Sequence, residues 1–199
     1  MISREFIIAK YHRPTEWTKL LNGKVTIYNK SKETLLPDEI YIEPNLGRCI
    51  HTYVTHILNN YDDLSDETFF SQDSPFEHAS NYTDTVNKIE KVEGFICMTS
   101  YLKQESKIIT GLEGAIDIEI PDFWNLLFLS KCPSVCNFCI ATHFAVDKNT
   151  ILLRSKNFYK KILYILETRY EAPWEMERIL PYWFDSQIIE RKFIKYEIF

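Results

Sequence analysis

The chain has 199 residues, 45% hydrophobic, 15% aromatic and 26% charged, with a formal net charge of −5. That length fits one domain able to bury a core without staples, and 5 Gly with 8 Pro exclude collagen-like or low-complexity sequence. The acidic balance disfavours a nucleic-acid binder, no apolar run approaches the about 18 residues of a membrane span, and charges interrupt the start where a signal peptide would lie.

Residues 6–11 are a run of β-formers and predict a strand. A short helix is expected over 15–21 behind Pro14, and a second strand over 25–28. A polar loop holding Pro37 and Pro44 then runs to Asn45. The clearest helix is 47–61. Ile50, Tyr53, Val54, Ile57, Leu58 and Tyr61 recur at the spacing of one buried stripe. Arg48, Thr52, Thr55 and Asn59 form its polar face, and Asn45 is the expected N-cap. A third strand is expected over 67–71, then an irregular segment, Gln72 to His78, turned by Pro75 and anchored by Phe76. Residues 84–92 read as a polar helix, 123–129 as a helix and 138–146 as one buried strand; 94–121 fit no single pattern. Residues 157–168 form a second amphipathic helix. The last helix, 174–184, starts after Pro173 and meets a breaker at Pro181; an extended tail follows.

Alternating β and α units predict an α/β domain with a mostly parallel sheet. Ligands of such sheets bind beyond the carboxyl ends of the strands. That places residues 11–17, 29–30, 72–78 and those after 146 near one rim.

Cys132, Cys136 and Cys139 give C-x3-C-x2-C with His143 beyond. The spacing suits an iron–sulfur cluster or a Cys3His zinc site. Its place before a buried strand favours plain small apolar cysteines, although Cys139 and His143 sit two alternations apart and would share a strand face. Five cysteines without an export signal read as reduced cytoplasmic thiols. The helix start at Gly47 and Arg48 makes an anion site, in competition with a solvated arginine on an entry turn; Gly47 would admit a phosphate closely. Asp73, Glu77 and His78 bring carboxylates and an imidazole just after a strand, suited to a divalent metal or a sugar hydroxyl. A surface loop turned by Ser74 and Pro75 is the plainer alternative. Glu177 and Arg178 suggest a local ion pair.

Several blocks together carry a family resemblance. They are Ile7 to Tyr11 with Glu16-Trp17, Val25 to Lys30, Asn45 to Tyr53 with His56-Ile57, Asn60 to Leu64, and Thr68 to Gln72 with Pro75 to His78. Ala141 to Val146 and Glu177 to Pro181 complete the set. The chain resembles a small domain-of-unknown-function family related to the GT-A type nucleotide-diphosphosugar glycosyltransferases. The resemblance implies a single GT-A-like, Rossmann-like domain over 1–199, with 174–199 as a C-terminal helix and tail. It also implies transfer of a sugar from a nucleotide-diphosphosugar donor to a glycan or other hydroxyl acceptor. Tyr11, Glu16, Trp17, Asn29, Arg48, His51 and Gln72 would bind the donor, with Tyr11 or Trp17 stacking on the base. His143 and Glu177 would lie near the acceptor. Glu77 or His78 would be the base, and Asp73 would hold a divalent cation, Mn or Mg. Asp73 stands where the family usually has Gly, Ala141-Thr142-His143 replace Gly-Ala-Gln, and the Asp-x-Asp pair of many sugar transferases is missing. A non-catalytic nucleotide- or sugar-binding protein on the same fold, and a Cys-ligated zinc protein, are the alternatives.

Overall fold

The structure is a computed structural model that describes residues 2–109 and 118–184. The expected tail from 185 onward lies outside the described residues, as do 110–117.

In chain order the elements are β1 (Arg4–Lys10), β2 (Lys24–Asn29), β3 (Ile40–Tyr41), α1 (Arg48–Asn59), β4 (Glu67–Gln72), α2 (Tyr82–Lys88) and β5 (Phe95–Cys97). Then follow β6 (Tyr101–Glu105), β7 (Ile108–Ile109), β8 (Ile118–Glu119), α3 (Ile120–Leu127), β9 (Val135–Cys139), β10 (Phe144–Asp147), α4 (Lys148–Leu152), α5 (Lys156–Thr168) and α6 (Ala172–Trp183). A six-stranded sheet runs β3-β2-β1-β4-β10-β5. The first four strands pair in parallel, while β10 pairs antiparallel with both β4 and β5. The chain is thus a mixed α/β protein with a mostly parallel sheet. No described helix is long and apolar enough to cross a membrane.

Both faces of the sheet are buried, which is why β1 and β4 read as near-continuous apolar runs. Successive side chains take opposite faces. Ile7, Phe70, Phe144 and Val146 meet α1, α5 and α6 on one side, and Phe6, Ile8, Phe69 and Ala145 meet α2 on the other. Ile50, Tyr53, Val54 and Ile57 of α1 are buried as their spacing demands. Of the expected polar face Thr52 is buried while Arg48 and Asn59 stay exposed; His51 is buried against α5, beside Glu167, and His56 against the sheet, where its ring meets Tyr28 and Phe70.

Several local expectations change. The helix over 15–21 is a single 3-10 stretch, Glu16–Leu20, and the polar helix of 84–92 is the shorter α2. Gly47, not Asn45, holds the N-cap position of α1, at φ +64° and with no side-chain cap. A Cβ on Gly47 would lie 2.8 Å from the His51 Cβ and 3.1 Å from the Leu166 Cβ. The glycine therefore serves the approach of α1 to α5. Pro181 lies within the last turn of α6, which continues to Trp183. Pro75 is the buried anchor of the segment after β4, while Phe76 is 40% exposed.

The single strand expected over 138–146 is two strands in two different sheets. β9 pairs with β6 and β10 joins the main sheet. Between them Ala141 and Thr142 both take left-handed backbone, φ 59° and 58°. Such a reversal is rare for non-glycine residues, and apolar alternation gives no sign of it. Cys139 and His143 consequently share no strand face. Cys139 is instead bonded to Cys97, with Cα atoms 5.7 Å apart, while Cys49, Cys132 and Cys136 are free thiols. The five cysteines are therefore not all reduced, and C-x3-C-x2-C does not offer three thiolates.

Candidate functional site

A cleft of about 690 Å³ opens beyond the carboxyl ends of β1, β2 and β4. That is the rim the parallel topology predicts, and the volume suits a nucleotide-sized ligand. Its walls come from segments distant in sequence, among them the ends of β1 and β2 with Tyr11 and Lys30. The loop after β4 supplies Asp73, Glu77 and His78, and the start of α1 supplies Arg48 and Cys49. The turn between β9 and β10 supplies Ala141 and Thr142, and the start of α6 supplies Trp174 and Glu177.

The start of α1 is cationic. Arg48 itself has φ 52°, and its guanidinium lies 4.6 Å from the centroid of the Trp174 ring, a cation–π stack. Lys30, at the end of β2, is buried, and its ammonium donates to the carbonyls of Leu46 and Arg48, the latter at 2.8 Å. Burial pushes its pKa down to about 8, and no carboxylate stands in ion-pair range of Lys30 or Arg48 among the described residues. The free N–H groups of the first turn of α1 add partial positive charge.

The carboxylates of the cleft are committed elsewhere. Asp73 Oδ2 accepts the backbone N–H groups of Tyr11 (2.9 Å), His12 (3.3 Å) and Arg13 (3.0 Å), closing the loop that follows β1. Glu177 Oε1 accepts from Ala141 N at 2.8 Å, and its other oxygen meets Arg178 at 3.0 Å. Glu77 is exposed, with Arg13 3.9 Å away. His78 is exposed beside it.

A divalent cation fits these residues poorly. Asp73, the expected ligand, already has one oxygen saturated by three donors. Among the described residues no group of three or more His, Cys, Asp or Glu side chains is placed to hold a metal ion.

Of the residues expected at the site, Tyr11, Arg48, Gln72, Asp73, Glu77, His78 and Glu177 line this cleft. Glu16, Trp17, Asn29, His51 and His143 do not. Glu16 is exposed at the start of the 3-10 stretch that follows β1. The Trp17 indole donates to Asp73 O at 2.9 Å, and its ring packs edge-on against Phe76 and Tyr82, outside the cleft lining. Asn29 is fully buried and donates to Glu39 Oε2 at 2.8 Å, which organises the loop before β3. His51 is buried between α1 and α5, 3.3 Å from Glu167.

His143 is buried behind the cleft. Its Nδ1 lies 3.2 Å from Ser71 Oγ and accepts from Gln72 N at 3.4 Å. Burial, then the nearby His78, hold its pKa down to about 3, so the ring is neutral. Gln72 works locally too, since its amide donates to Ala141 O at 2.8 Å and braces the left-handed turn.

Lys30 and Trp174 are among the cleft residues to which the sequence assigned no role. Lys30 directly follows Asn29 at a strand's carboxyl end, so the rim rule gave the neighbourhood but not which side chain faces the cleft. Trp174 follows Pro173 at a helix start, a position without a functional signature.

No curated protein and no solved structure matches the chain significantly. A family model matches residues 6–192, and the chain belongs to the family described as Protein of unknown function (DUF3431).

Proposed function

We propose that the protein is a glycosyltransferase of GT-A type that moves a sugar from a nucleotide-diphosphosugar donor to a hydroxyl of a glycan acceptor. The observation that carries this reading is the composition of the cleft beyond the parallel strands. An unneutralised cationic wall shares it with an exposed carboxylate and imidazole, Glu77 and His78. The cationic wall would hold the diphosphate and stabilise the charge that develops as it departs. Glu77 or His78 would take the proton of the acceptor hydroxyl. The acceptor oxygen then bonds to the anomeric carbon as the carbon–oxygen bond to the diphosphate breaks, and the electron pair leaves with the diphosphate. Trp174, stacked with Arg48, would add aromatic surface beside the sugar or base.

The test is release of nucleoside diphosphate from a panel of nucleotide-diphosphosugars, since water replaces the acceptor slowly in such sites. Glu77→Gln and His78→Gln are each measured, and the residue that serves as base is expected to lower turnover by about 10²–10⁴-fold with little change in donor affinity. Donor binding without release from any donor would support a non-catalytic binding protein. One observation favours that second reading: Glu77 is 63% exposed and held only by Arg13 at 3.9 Å, a loose mounting for a base.

A further inference from the structure

We infer that Lys30 and Arg48, set against the start of α1, neutralise the donor's diphosphate in the place where a divalent cation was expected. The inference rests on the donor reading above and concerns the chemistry of that same cleft. Its basis is an asymmetry among the charges. Each carboxylate of the cleft has a positive or N–H partner of its own: Asp73 the three backbone amides, Glu177 Ala141 N and Arg178, Glu77 the more distant Arg13. Neither Lys30 nor Arg48 has a carboxylate in ion-pair range among the described residues.

The other buried cations among the described residues, Lys10 and Arg178, are each matched by a carboxylate. Lys10 meets Glu39 at 2.6 Å, Arg4 meets Glu67 at 2.7 Å and Arg169 meets Glu175 at 3.0 Å. An ammonium taken out of water without a counter-ion is costly. Lys30 is 7% exposed, and its two backbone carbonyl partners lower that cost without neutralising the charge. The uncommitted charge of the cleft is two cations plus roughly half a charge from the helix start. That sum is close to the two negative charges of a diphosphate diester. Asp73 points its bonded oxygen at the loop after β1 and so supports the cleft wall.

Calorimetric titration of the full chain with inorganic pyrophosphate tests this, once in EDTA and once with Mn. Binding is expected in EDTA, tightened less than about threefold by Mn. Lys30→Gln and Arg48→Gln are each expected to weaken it by about tenfold or more, the loss of one charge-assisted hydrogen bond. Lys30→Gln also alters the tie to the Leu46 and Arg48 carbonyls, so its fold is checked by circular dichroism. Arg48 is exposed, and its variant keeps the test valid if Lys30→Gln unfolds. Binding that requires Mn, or that survives both substitutions, overturns the inference and leaves the transferase reading standing. Release of nucleoside diphosphate from a donor without pyrophosphate binding sinks the inference alone, whereas absence of both defeats the transferase reading as well.

Discussion

Asp73→Ala separates a structural carboxylate from a metal ligand. Asp73 Oδ2 receives three backbone amides, from Tyr11, His12 and Arg13, at 2.9, 3.3 and 3.0 Å. Hydrogen bonds to a charged acceptor contribute about 1.5–3 kcal/mol each when water cannot replace them, and about 1 kcal/mol in ordinary settings. These three share one oxygen in an exposed loop, so the lower figure applies, and the group is worth about 2–3 kcal/mol. In a chain of this size that corresponds to a fall in Tm of about 4–12 °C. Asp73→Asn keeps an acceptor oxygen and loses the charge, so it should cost about half as much. Thermal melts in EDTA give the stability, and hydrogen exchange of the three amides gives the location of the loss. A Tm within about 1 °C of wild type, with unchanged exchange at residues 11–13, would refute the clamp and return Asp73 to the role of a free ligand.

Two further outcomes follow from the charge and thiol placement. With burial holding the Lys30 ammonium down to about 8, beside Arg48, His51 and the Cys49 thiol, pyrophosphate affinity should fall as pH rises through 8. Pyrophosphate only gains negative charge over that range, so the loss belongs to the protein; equal affinity at pH 7 and pH 9 would contradict it. In denaturant without reductant, the three thiols of Cys49, Cys132 and Cys136 should titrate, and all five after reduction; five at the outset would exclude the Cys97–Cys139 bond.

The sequence reveals the parts of this fold that depend on short-range periodicity. The stripe Ile50, Tyr53, Val54, Ile57 buries one face of a helix, and the runs at 6–9 and 68–71 bury both faces of a strand, so short-range pattern alone locates α1, β1 and β4. Topology then brings the ends of β1, β2 and β4 to one rim, where Arg48, Gln72, Asp73, Glu77 and His78 gather. Contacts made across large sequence distances leave no such trace. Asn29 and His143 have the chemistry of binding residues, yet the Asn29 amide is engaged by Glu39 and the His143 Nδ1 by Ser71 behind the cleft. A polar residue at a strand end reads the same from sequence whether it faces a ligand or the core. The bond between Cys97 and Cys139 joins residues 42 apart, and the break between β9 and β10 depends on backbone angles that Ala141 and Thr142 rarely adopt.

That break makes a final prediction about the cleft wall. Left-handed backbone costs an ordinary residue about 1–2 kcal/mol, and Ala141 and Thr142 bear it in succession. They are held there from three sides: the Gln72 amide on Ala141 O (2.8 Å), Glu177 on Ala141 N (2.8 Å), and Cys49 Sγ against Thr142 Oγ1 (3.1 Å). Ala141→Gly would relieve about 1–2 kcal/mol of this strain. It would also forfeit about 0.5–1 kcal/mol of chain entropy and up to about 0.8 kcal/mol for one buried methyl. These terms nearly cancel, so the substitution should leave stability within about 1 kcal/mol of wild type. Ala145→Gly is the control, because Ala145 is fully buried in regular β10 and has no strain to relieve; it should cost about 1.3–1.8 kcal/mol. Urea denaturation of both variants measures the difference. Equal destabilisation by the two would mean that residue 141 carries no left-handed strain, and that the bonds from Gln72 and Glu177 do not hold the cleft wall in a conformation the backbone resists.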